Sequence, residues 1–213
     1  MLLIELQKIT KDYNGNIIFS DICETLREGS CLVITGPNGS GKTTLLKILA
    51  GLIRPASGKF TISVDGTLLA DENRKDYLGF VSPDLYLYEE LTALENLEFF
   101  VKVRGLAESE EYCLKLLKKV QLDKWGGSLV GTYSTGMKQR LKFAYALLHQ
   151  PLLLLLDEPG ANLDEEGQAL VQEIISQQKE TGAVILSTND PAEVARYGDQ
   201  VLKLDEAGRC FIK

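Results

Sequence analysis

The strongest indication of the fold is a single stretch of thirteen residues. It is Cys31-Leu-Val-Ile-Thr-Gly36-Pro-Asn-Gly-Ser-Gly41-Lys42-Thr43. Its first five residues form a short apolar run that is typical of a buried strand, and a helical pattern follows from Thr43 to Ala50. Between them, residues 36–43 match the pattern G-x-x-x-x-G-K-[ST] in full. A strand, a glycine-rich turn and a helix in this order predict a phosphate-binding loop in an α/β protein.

The chemistry of the loop follows from its residue types. Glycines let the backbone curl so that successive N–H groups converge on an anion, and a helix N-terminus adds partial positive charge. Lys42 can reach the β- and γ-phosphates of a nucleotide, and the Thr43 hydroxyl can bind Mg²⁺. The alternative is a glycine-rich turn with a surface lysine. The predicted nucleotide-binding residues of the loop are Gly36, Pro37, Asn38, Gly39, Ser40, Gly41, Lys42, Thr43 and Thr44.

A second motif follows the leucine run Leu152–Leu156, where Asp157, Glu158 and Pro159 end a predicted strand. Carboxylates at the carboxyl end of a buried strand lie where ligands bind in open α/β sheets. We expect Asp157 to hold Mg²⁺ and Glu158 to polarise an attacking water. Alone the motif could be a solvated acidic turn, but together with the phosphate loop it favours nucleotide hydrolysis.

Composition excludes several classes of protein. The chain has 213 residues, of which 45% are hydrophobic and 25% charged, and its formal net charge is −7. This acidic balance argues against a general nucleic-acid binder. The leucine run is far shorter than the ~20 apolar residues of a membrane-spanning helix. We expect neither a membrane span nor a signal peptide.

Cysteine and histidine chemistry is also improbable. The four cysteines have no close spacing and His149 is the only histidine, which argues against a zinc site and against a Ser–His or Cys–His catalytic pair. We expect reduced thiols and a histidine near the end of a helix, close to its dipole.

The predicted fold class is α/β, a P-loop NTPase core with a mainly parallel sheet, an antiparallel β edge and an inserted α-helical lobe. The core comprises residues 1–83 and 149–213, and the lobe comprises residues 84–148. Predicted strands lie at 1–9 (an edge strand), 31–35, 59–64, 78–82, 152–156, 183–187 and in a terminal hairpin at 201–213. Predicted helices lie at 43–50, from the Thr92 capping box to Gly105, at 108–120, 134–149 and 164–180, and after the cap Asp190-Pro191.

The middle of the chain resembles a known family. The run Tyr133-Ser134-Thr135-Gly136-Met137-Lys-Gln139-Arg140 is similar to the signature motif of ABC-type ATPases, usually written L-S-G-G-Q and followed by Q-R. Asn162-Leu163-Asp164 resembles the D-loop of that family, and residues 87–97 resemble the segment that opens its helical lobe. Tyr13 precedes the phosphate loop where the family places an aromatic residue that stacks on adenine. The motifs stand in the family order, and the resemblance spans essentially the whole chain.

The resemblance implies a nucleotide-binding subunit of an ABC transporter, with ATP and Mg²⁺ as its ligands. Such subunits form head-to-tail dimers, here a homodimer or a heterodimer, in which Ser134 and Gly136 would contact the γ-phosphate on the partner. The catalytic residues would be Glu158, Lys42 and Asn189. The lobe would dock separate transmembrane permease subunits, with the protein cytoplasmic and peripheral on the inner face of the cell membrane. The short length and the signature wording resemble exporters of the haem-exporter or another ABC-2 type, and no nucleic-acid partner is implied.

Four positions depart from the family pattern. Pro83 takes the place of the Q-loop glutamine, and Asn189 takes the place of the switch histidine. Thr135 and Met137 replace the first glycine and the final glutamine of the signature. Because proline has no side-chain amide and asparagine carries no positive charge, we expect slow ATP hydrolysis. The alternatives are a soluble ABC ATPase outside transport and a slow ATP-gated binding module.

Two surface features stay open at this point. Tyr86 and Tyr88 either line a groove for a partner or are exposed loop aromatics. Lys138, Arg140 and Lys142 are interpreted as a solvated helix face that favours ATP rather than as a nucleic-acid face.

Overall fold

Ten strands and six α-helices are seen in the computed structural model, which describes residues 1–107 and 109–205 and the backbone of residues 210–212. The strands are β1 Leu2–Tyr13, β2 Asn16–Arg27, β3 Cys31–Thr35, β4 Ser57–Val64, β5 Thr67–Leu68, β6 Leu78–Val81, β7 Leu153–Asp157, β8 Ala183–Thr188, β9 Gln200–Leu204 and β10 Cys210–Ile212. The helices are α1 Lys42–Leu49, α2 Ala93–Arg104, α3 Glu110–Lys119, α4 Thr135–Leu147, α5 Glu165–Thr181 and α6 Pro191–Tyr197.

A six-stranded sheet in the order β10-β9-β3-β8-β7-β6 forms the centre of the molecule. Its strands pair in parallel from β9 to β6, and β10 adds an antiparallel edge. Along β7, Leu153 and Leu155 face one hydrophobic cluster whereas Leu154 and Leu156 face another. Successive side chains of a strand point to opposite faces, so a strand buried on both faces needs an unbroken apolar run.

The two clusters lie on opposite faces of this sheet. One cluster contains residues of α1 and of the strands β1, β2 and β4, for example Leu45 and Ile4. The other contains residues of α2 to α5, for example Leu141 of α4 and Ile174 of α5. The helices α2, α3 and α4 come between β6 and β7 in the chain. The α/β class is therefore confirmed, while the boundaries of a core and a lobe stay a prediction.

A four-stranded antiparallel sheet, in the order β2-β1-β4-β5, corrects the prediction for the first residues. β1 pairs with β2 on one side and with β4 on the other, so it is not an edge strand. The sequence analysis missed β2, whose buried residues Phe19, Ile22 and Leu26 do not alternate strictly. The register of β1 and β2 shifts at bulges near Ile9, and bulges disturb the two-residue period.

Polar side chains begin most of the helices, as the sequence predicted for two of them. Thr92 and Glu95 form a capping box, and Asp190 caps α6 with Pro191 in its first turn. Ser109, Ser134 and Asp164 cap α3, α4 and α5. The predicted terminal hairpin agrees with β9 and β10, but residues 206–209 and 213 lie outside the described residues. Among the described residues, none of the helices combines the length and the apolar character that a bilayer span needs.

His149 directly follows the C-cap residue of α4, near the helix end as predicted, but its ring contacts another element. Its Nε2 lies 2.8 Å from the carbonyl oxygen of Leu78 in β6, and its Nδ1 is buried without a hydrogen-bond partner among the described residues. Burial lowers the pKa of His149, and the nearby charge of Arg104 lowers it further. The neutral imidazole, with Nε2–H donating to Leu78, is therefore the form that the folded protein favours.

This arrangement predicts a pH-dependent loss of stability. Because the pKa of His149 is lower in the folded than in the unfolded chain, the unfolded chain binds more protons below about pH 6.5. The free energy of unfolding should fall as the pH drops from 7 to 5, by at most about 1.4 kcal/mol per pH unit for this one proton. Urea unfolding of the wild type and of His149→Gln measures the effect. The variant should lose less stability over this range, and parallel pH dependences would contradict the assignment.

Candidate active site

The loop between β3 and α1 has a backbone that requires glycine. Gly36, Gly39 and Gly41 have φ angles of 148°, 83° and 96°. A Cβ atom on Gly36 would lie 2.2 Å from the carbonyl oxygen of Leu204, and one on Gly41 would lie 2.6 Å from a methyl group of Ile18. The loop is therefore tightly enclosed by β9 and β2, and its glycines have both a conformational and a steric reason.

The start of α1 differs from the other helix starts in the described ranges. α2 to α6 each begin with a side chain that accepts a backbone N–H, whereas Gly41 at the start of α1 provides no such acceptor. The first N–H groups of a helix have no partner within the helix. The first N–H groups of α1 can therefore bind an anion, and the helix dipole also favours an anion at this position.

Lys42 adds a positive charge to the loop. Its side chain is only 6% exposed, and its Nζ donates to the carbonyl oxygens of Gly36 at 2.9 Å and of Pro37 at 3.1 Å. Burial lowers the pKa of Lys42, while Glu158 and Asp157 oppose that effect. The structure thus brings Lys42 into the electrostatic neighbourhood of both carboxylates, as the sequence motifs require.

Asp157 ends β7 in a site suited to a cation. It is 1% exposed, and its Oδ1 accepts hydrogen bonds from the hydroxyls of Ser187 and, at 3.2 Å, of Thr43. Its Oδ2 is buried and has no hydrogen-bond partner among the described residues. Buried polar atoms of this kind call for an explanation, and Mg²⁺ prefers oxygen ligands. The residues present therefore fit a magnesium ion at Thr43 and Asp157.

Glu158 lies next to Asp157 but faces two open spaces. Its φ angle is 49°, and its backbone N–H donates to the carbonyl oxygen of Ser187 at 3.0 Å. It lines a cavity of about 520 Å³ with Pro83 and Lys142, and a smaller cavity of about 250 Å³ with Asn189 and Glu193. Two predicted catalytic residues, Glu158 and Asn189, thus border the same space.

Asn189 is also tied to the phosphate loop. Its Nδ2 donates to Oδ1 of Asn38, which is 151 positions away in the sequence. Beside it, the hydroxyl of Thr188 donates to Glu193, and burial raises the pKa of that carboxyl group. The sequence analysis did not single out Ser187 or Glu193, because no local pattern distinguishes them from ordinary strand and helix residues.

Tyr13 lies at the end of β1 and is 46% exposed. The ammonium group of Lys11 lies 4.6 Å from the centroid of its ring. The pKa of Lys47 in α1 is raised chiefly by Asp84, with smaller contributions from Asp157 and Tyr13. Tyr13 is therefore close to α1, and its adenine-stacking role stays a prediction.

Ser134 and Gly136 line a cavity of their own, whereas Thr135 between them also lines the cavity of about 520 Å³ with Glu158. Ser134 caps α4 by accepting the N–H of Met137 at 3.2 Å, and Gly136 packs near the carbonyl oxygen of Asn162. Ser134 and Gly136 line a cavity of about 440 Å³ together with Trp125, and neither the phosphate loop nor Glu158 borders it. The structure does not bring these two residues to the phosphate loop of the same chain.

The interpretation of α4 as a solvated basic face needs correction. Lys138 forms an ion pair with Glu89, and Arg140 hydrogen-bonds Asp164 at 3.0 Å. Lys142 donates to two backbone carbonyls. All three cations are thus held by the protein.

Comparison with known proteins bears on the whole chain. Residues 19–161, more than half of the chain, match the family described as ABC transporter. The chain is 35% identical over 191 residues to the uncharacterized ABC transporter ATP-binding protein YybJ of Bacillus subtilis, covering 90% of this chain and 87% of that protein. It is 34% identical over 200 residues to the lantibiotic transport ATP-binding protein SrtF of Streptococcus pyogenes, covering 92% and 84%.

Solved structures agree with these matches. The dimeric post-hydrolysis state of the ATP-binding cassette MJ0796 bound to ADP and Pi superposes with a TM-score of 0.85 at 26% identity, covering 99% of this chain and 97% of that one. An ATP-binding subunit of an ABC transporter superposes with a TM-score of 0.84 at 31% identity, covering 98% and 88%.

The geometry of Lys42 predicts the effect of its removal. Lys42→Ala should weaken the binding of MgATP by about ten- to a hundredfold, since a hydrogen bond to a charged group contributes roughly 1.5–3 kcal/mol. Isothermal titration calorimetry measures the affinity, and circular dichroism checks the fold. Lys118→Ala, which removes an exposed lysine of α3, is the matched control and should bind as the wild type does. An unchanged affinity in Lys42→Ala would remove the assigned role of this lysine.

Proposed function

Since this chain belongs to the ABC transporter family and is an ATP-binding and ATP-hydrolysing subunit of such a transporter, we propose that it dimerises head to tail around two MgATP and drives separate transmembrane subunits. The single observation that carries this proposal is the separation of Ser134 and Gly136 from the phosphate loop. In this proposal the phosphate loop of one chain binds one nucleotide, and Ser134 and Gly136 of the same chain contact the other. A second cassette would supply the missing half to each nucleotide.

The signature surface is chemically suited to a nucleotide held by the partner. Ser134 and Thr135 are exposed, and they stand at the N-terminus of the thirteen-residue helix α4. Backbone N–H groups and the helix dipole at such a position favour a phosphate group. We assign Ser134 and Gly136 to the γ-phosphate of the partner's ATP.

We propose a separate task for each residue of the site that is formed within one chain. The N–H groups of the phosphate loop and the Lys42 ammonium bind the β- and γ-phosphates. Thr43 and Asp157 would hold Mg²⁺, which neutralises phosphate charge when it is bound. Glu158 accepts a hydrogen bond from the attacking water, whose oxygen bonds to the γ-phosphorus as the bond to the bridging oxygen of ADP breaks. Tyr13 stacks on adenine, and Asn189 donates to a γ-phosphate oxygen.

Residues 84–148 are proposed as the lobe that contacts the transmembrane subunits. Tyr86 is 87% exposed, and the partly exposed rings of Tyr88 and Phe99 stack edge to face with centroids 4.9 Å apart. Aromatic residues are enriched at protein interfaces. We place the protein in the cytoplasm, peripheral on the inner face of the cell membrane. A relative from Cupriavidus pinatubonensis named Nod factor export ATP-binding protein I, 31% identical over 209 residues, supports an export system.

Replacing Glu158 should stabilise the proposed dimer. Glu158→Gln keeps the shape of the side chain but loses the carboxylate that orients water, so ATP should persist between the subunits. Size-exclusion chromatography with MgATP should show a dimer for this variant, and Glu180→Gln, an exposed change at the end of α5, should behave as the wild type. A Glu158→Gln protein that stays monomeric at high concentration with MgATP would count against a homodimer.

Removing the amide of Asn189 should slow turnover more than it weakens binding. Oriented donors to developing charge are worth about 10²–10³ in rate at other active sites, which is an upper guide here. We expect Asn189→Ala to lower kcat at least tenfold and to change the MgATP affinity by less than threefold, measured by phosphate release and calorimetry. Asn73→Ala, an exposed change before β6, is the control. An unchanged kcat in Asn189→Ala would show that this side chain takes no part in hydrolysis.

A further inference from the structure

The loop of residues 82–84, directly after β6, is held by a lysine from the signature helix. Nζ of Lys142 in α4 donates to the carbonyl oxygen of Ser82 at 3.0 Å and to that of Pro83 at 2.7 Å. The lysine and the loop are about 60 positions apart in the sequence. These two contacts join α4 to the carboxyl end of a strand in the central sheet.

The same loop is held from its other side by the helix of the phosphate loop. Nζ of Lys47 in α1 lies 2.6 Å from Oδ2 of Asp84. Within the loop, the N–H of Asp84 donates to Oγ of Ser82 at 3.3 Å. The loop thus lies in a continuous chain of polar contacts that runs from α1, which starts at Lys42, to α4, which starts beside Ser134.

Lys142 differs from the other cations of α4. Lys138 and Arg140 hydrogen-bond carboxylates, whereas the hydrogen bonds of Lys142 that the structure shows go to backbone carbonyls. Burial lowers the pKa of Lys142, and the nearby carboxylate of Asp84 counteracts this. A partly buried ammonium group held by carbonyl oxygens fixes their position and brings a positive charge to the loop.

The position of these contacts is informative because of Pro83. Proline has neither a side-chain amide nor a backbone N–H, so its carbonyl oxygen is the one polar atom that it offers. Lys142 bonds that atom. Pro83, Lys142 and Glu158 all line the cavity of about 520 Å³. The bonded loop therefore forms one wall of the space that the proposed water-orienting carboxylate faces.

We propose that Lys142 is a positioning residue for ATP hydrolysis, holding the Ser82–Pro83 backbone against α4 so that the wall of the cavity facing Glu158 stays in place. This inference rests on the proposed function. Lys142 acts on the backbone of Ser82 and Pro83, and it links the signature helix to the sheet. Loss of the ammonium group displaces the wall, and a displacement of about 1 Å at a reaction centre can cost a hundredfold in rate.

The test separates rate from binding. Lys142→Met keeps the length of the side chain and removes its donors. We expect kcat, measured by phosphate release from the purified full chain, to fall at least tenfold while the calorimetric Kd for MgATP changes less than twofold. Lys142→Arg retains donors and charge, and should keep kcat within threefold of the wild type. Lys115→Met removes an exposed lysine of α3 that pairs with Glu111 and does not line this cavity, and it should keep the wild-type kcat.

Several results would overturn the inference. These are an unchanged kcat in Lys142→Met, an equal loss of affinity and rate, or an arginine variant as slow as the methionine variant. If Lys142→Met does not fold, Lys142→Ala, which also has no side-chain donor, is measured against the same criteria. A wild-type chain that neither binds nor hydrolyses ATP contradicts the proposed function itself, whereas an active wild type with an equally active Lys142→Met contradicts only the role of Lys142.

Discussion

The N-terminus of α1 has no side-chain cap, and keeping its N–H groups open limits how the surrounding chain can fold. Unpaired N–H groups at a helix start favour an anion, but only if the chain turns sharply from a strand into that helix without covering them. Gly36 and Gly41 make this turn possible at φ angles of 148° and 96°. β3, which precedes the loop, is buried on both faces of the sheet. The loop therefore begins at the carboxyl edge of the sheet. The neighbouring strands β7 and β8 deliver Asp157 and Asn189 to the same edge.

A lysine and two carboxylates lie close together at this edge of the sheet. The Lys42 ammonium lies close enough to Asp157 and Glu158 for both carboxylates to oppose the lowering of its pKa by burial. Oδ1 of Asp157 accepts hydroxyl hydrogen bonds, and its buried Oδ2 has no partner among the described residues, which suits a cation. The site is thus arranged for an anion and a cation together, which is the charge pattern of a nucleotide with its magnesium ion. Ser134 and Gly136 line a separate cavity. In our proposal they contact the nucleotide that is bound by a second cassette.

The departures from the family pattern have identifiable partners in the fold. Asn189 hydrogen-bonds Asn38 in the phosphate loop, so the residue at the position of the switch histidine contacts the loop itself. The carbonyl oxygen of Pro83 accepts a hydrogen bond from Lys142. Both contacts join elements that border the candidate site, so neither position is simply a missing side chain. They show that a backbone contact and an amide contact hold together the elements around the candidate site.

Local sequence patterns were enough to predict the α/β class, the strand, turn and helix around the phosphate loop, the carboxylates at the end of β7 and most helix starts. Each of these depends on residues that are near neighbours in the chain, because caps, turns and two-sided burial leave local patterns. The place of β1 inside its sheet, the strand β2 with its bulges, and the partners of His149, Ser187, Glu193 and Lys142 came from the three-dimensional structure. Those features depend on hydrogen bonds and packing between residues that are distant in sequence or that carry no distinctive pattern. The sequence around Lys142 predicts a solvated lysine, because the two carbonyl oxygens that accept its hydrogen bonds are about 60 positions away in the chain.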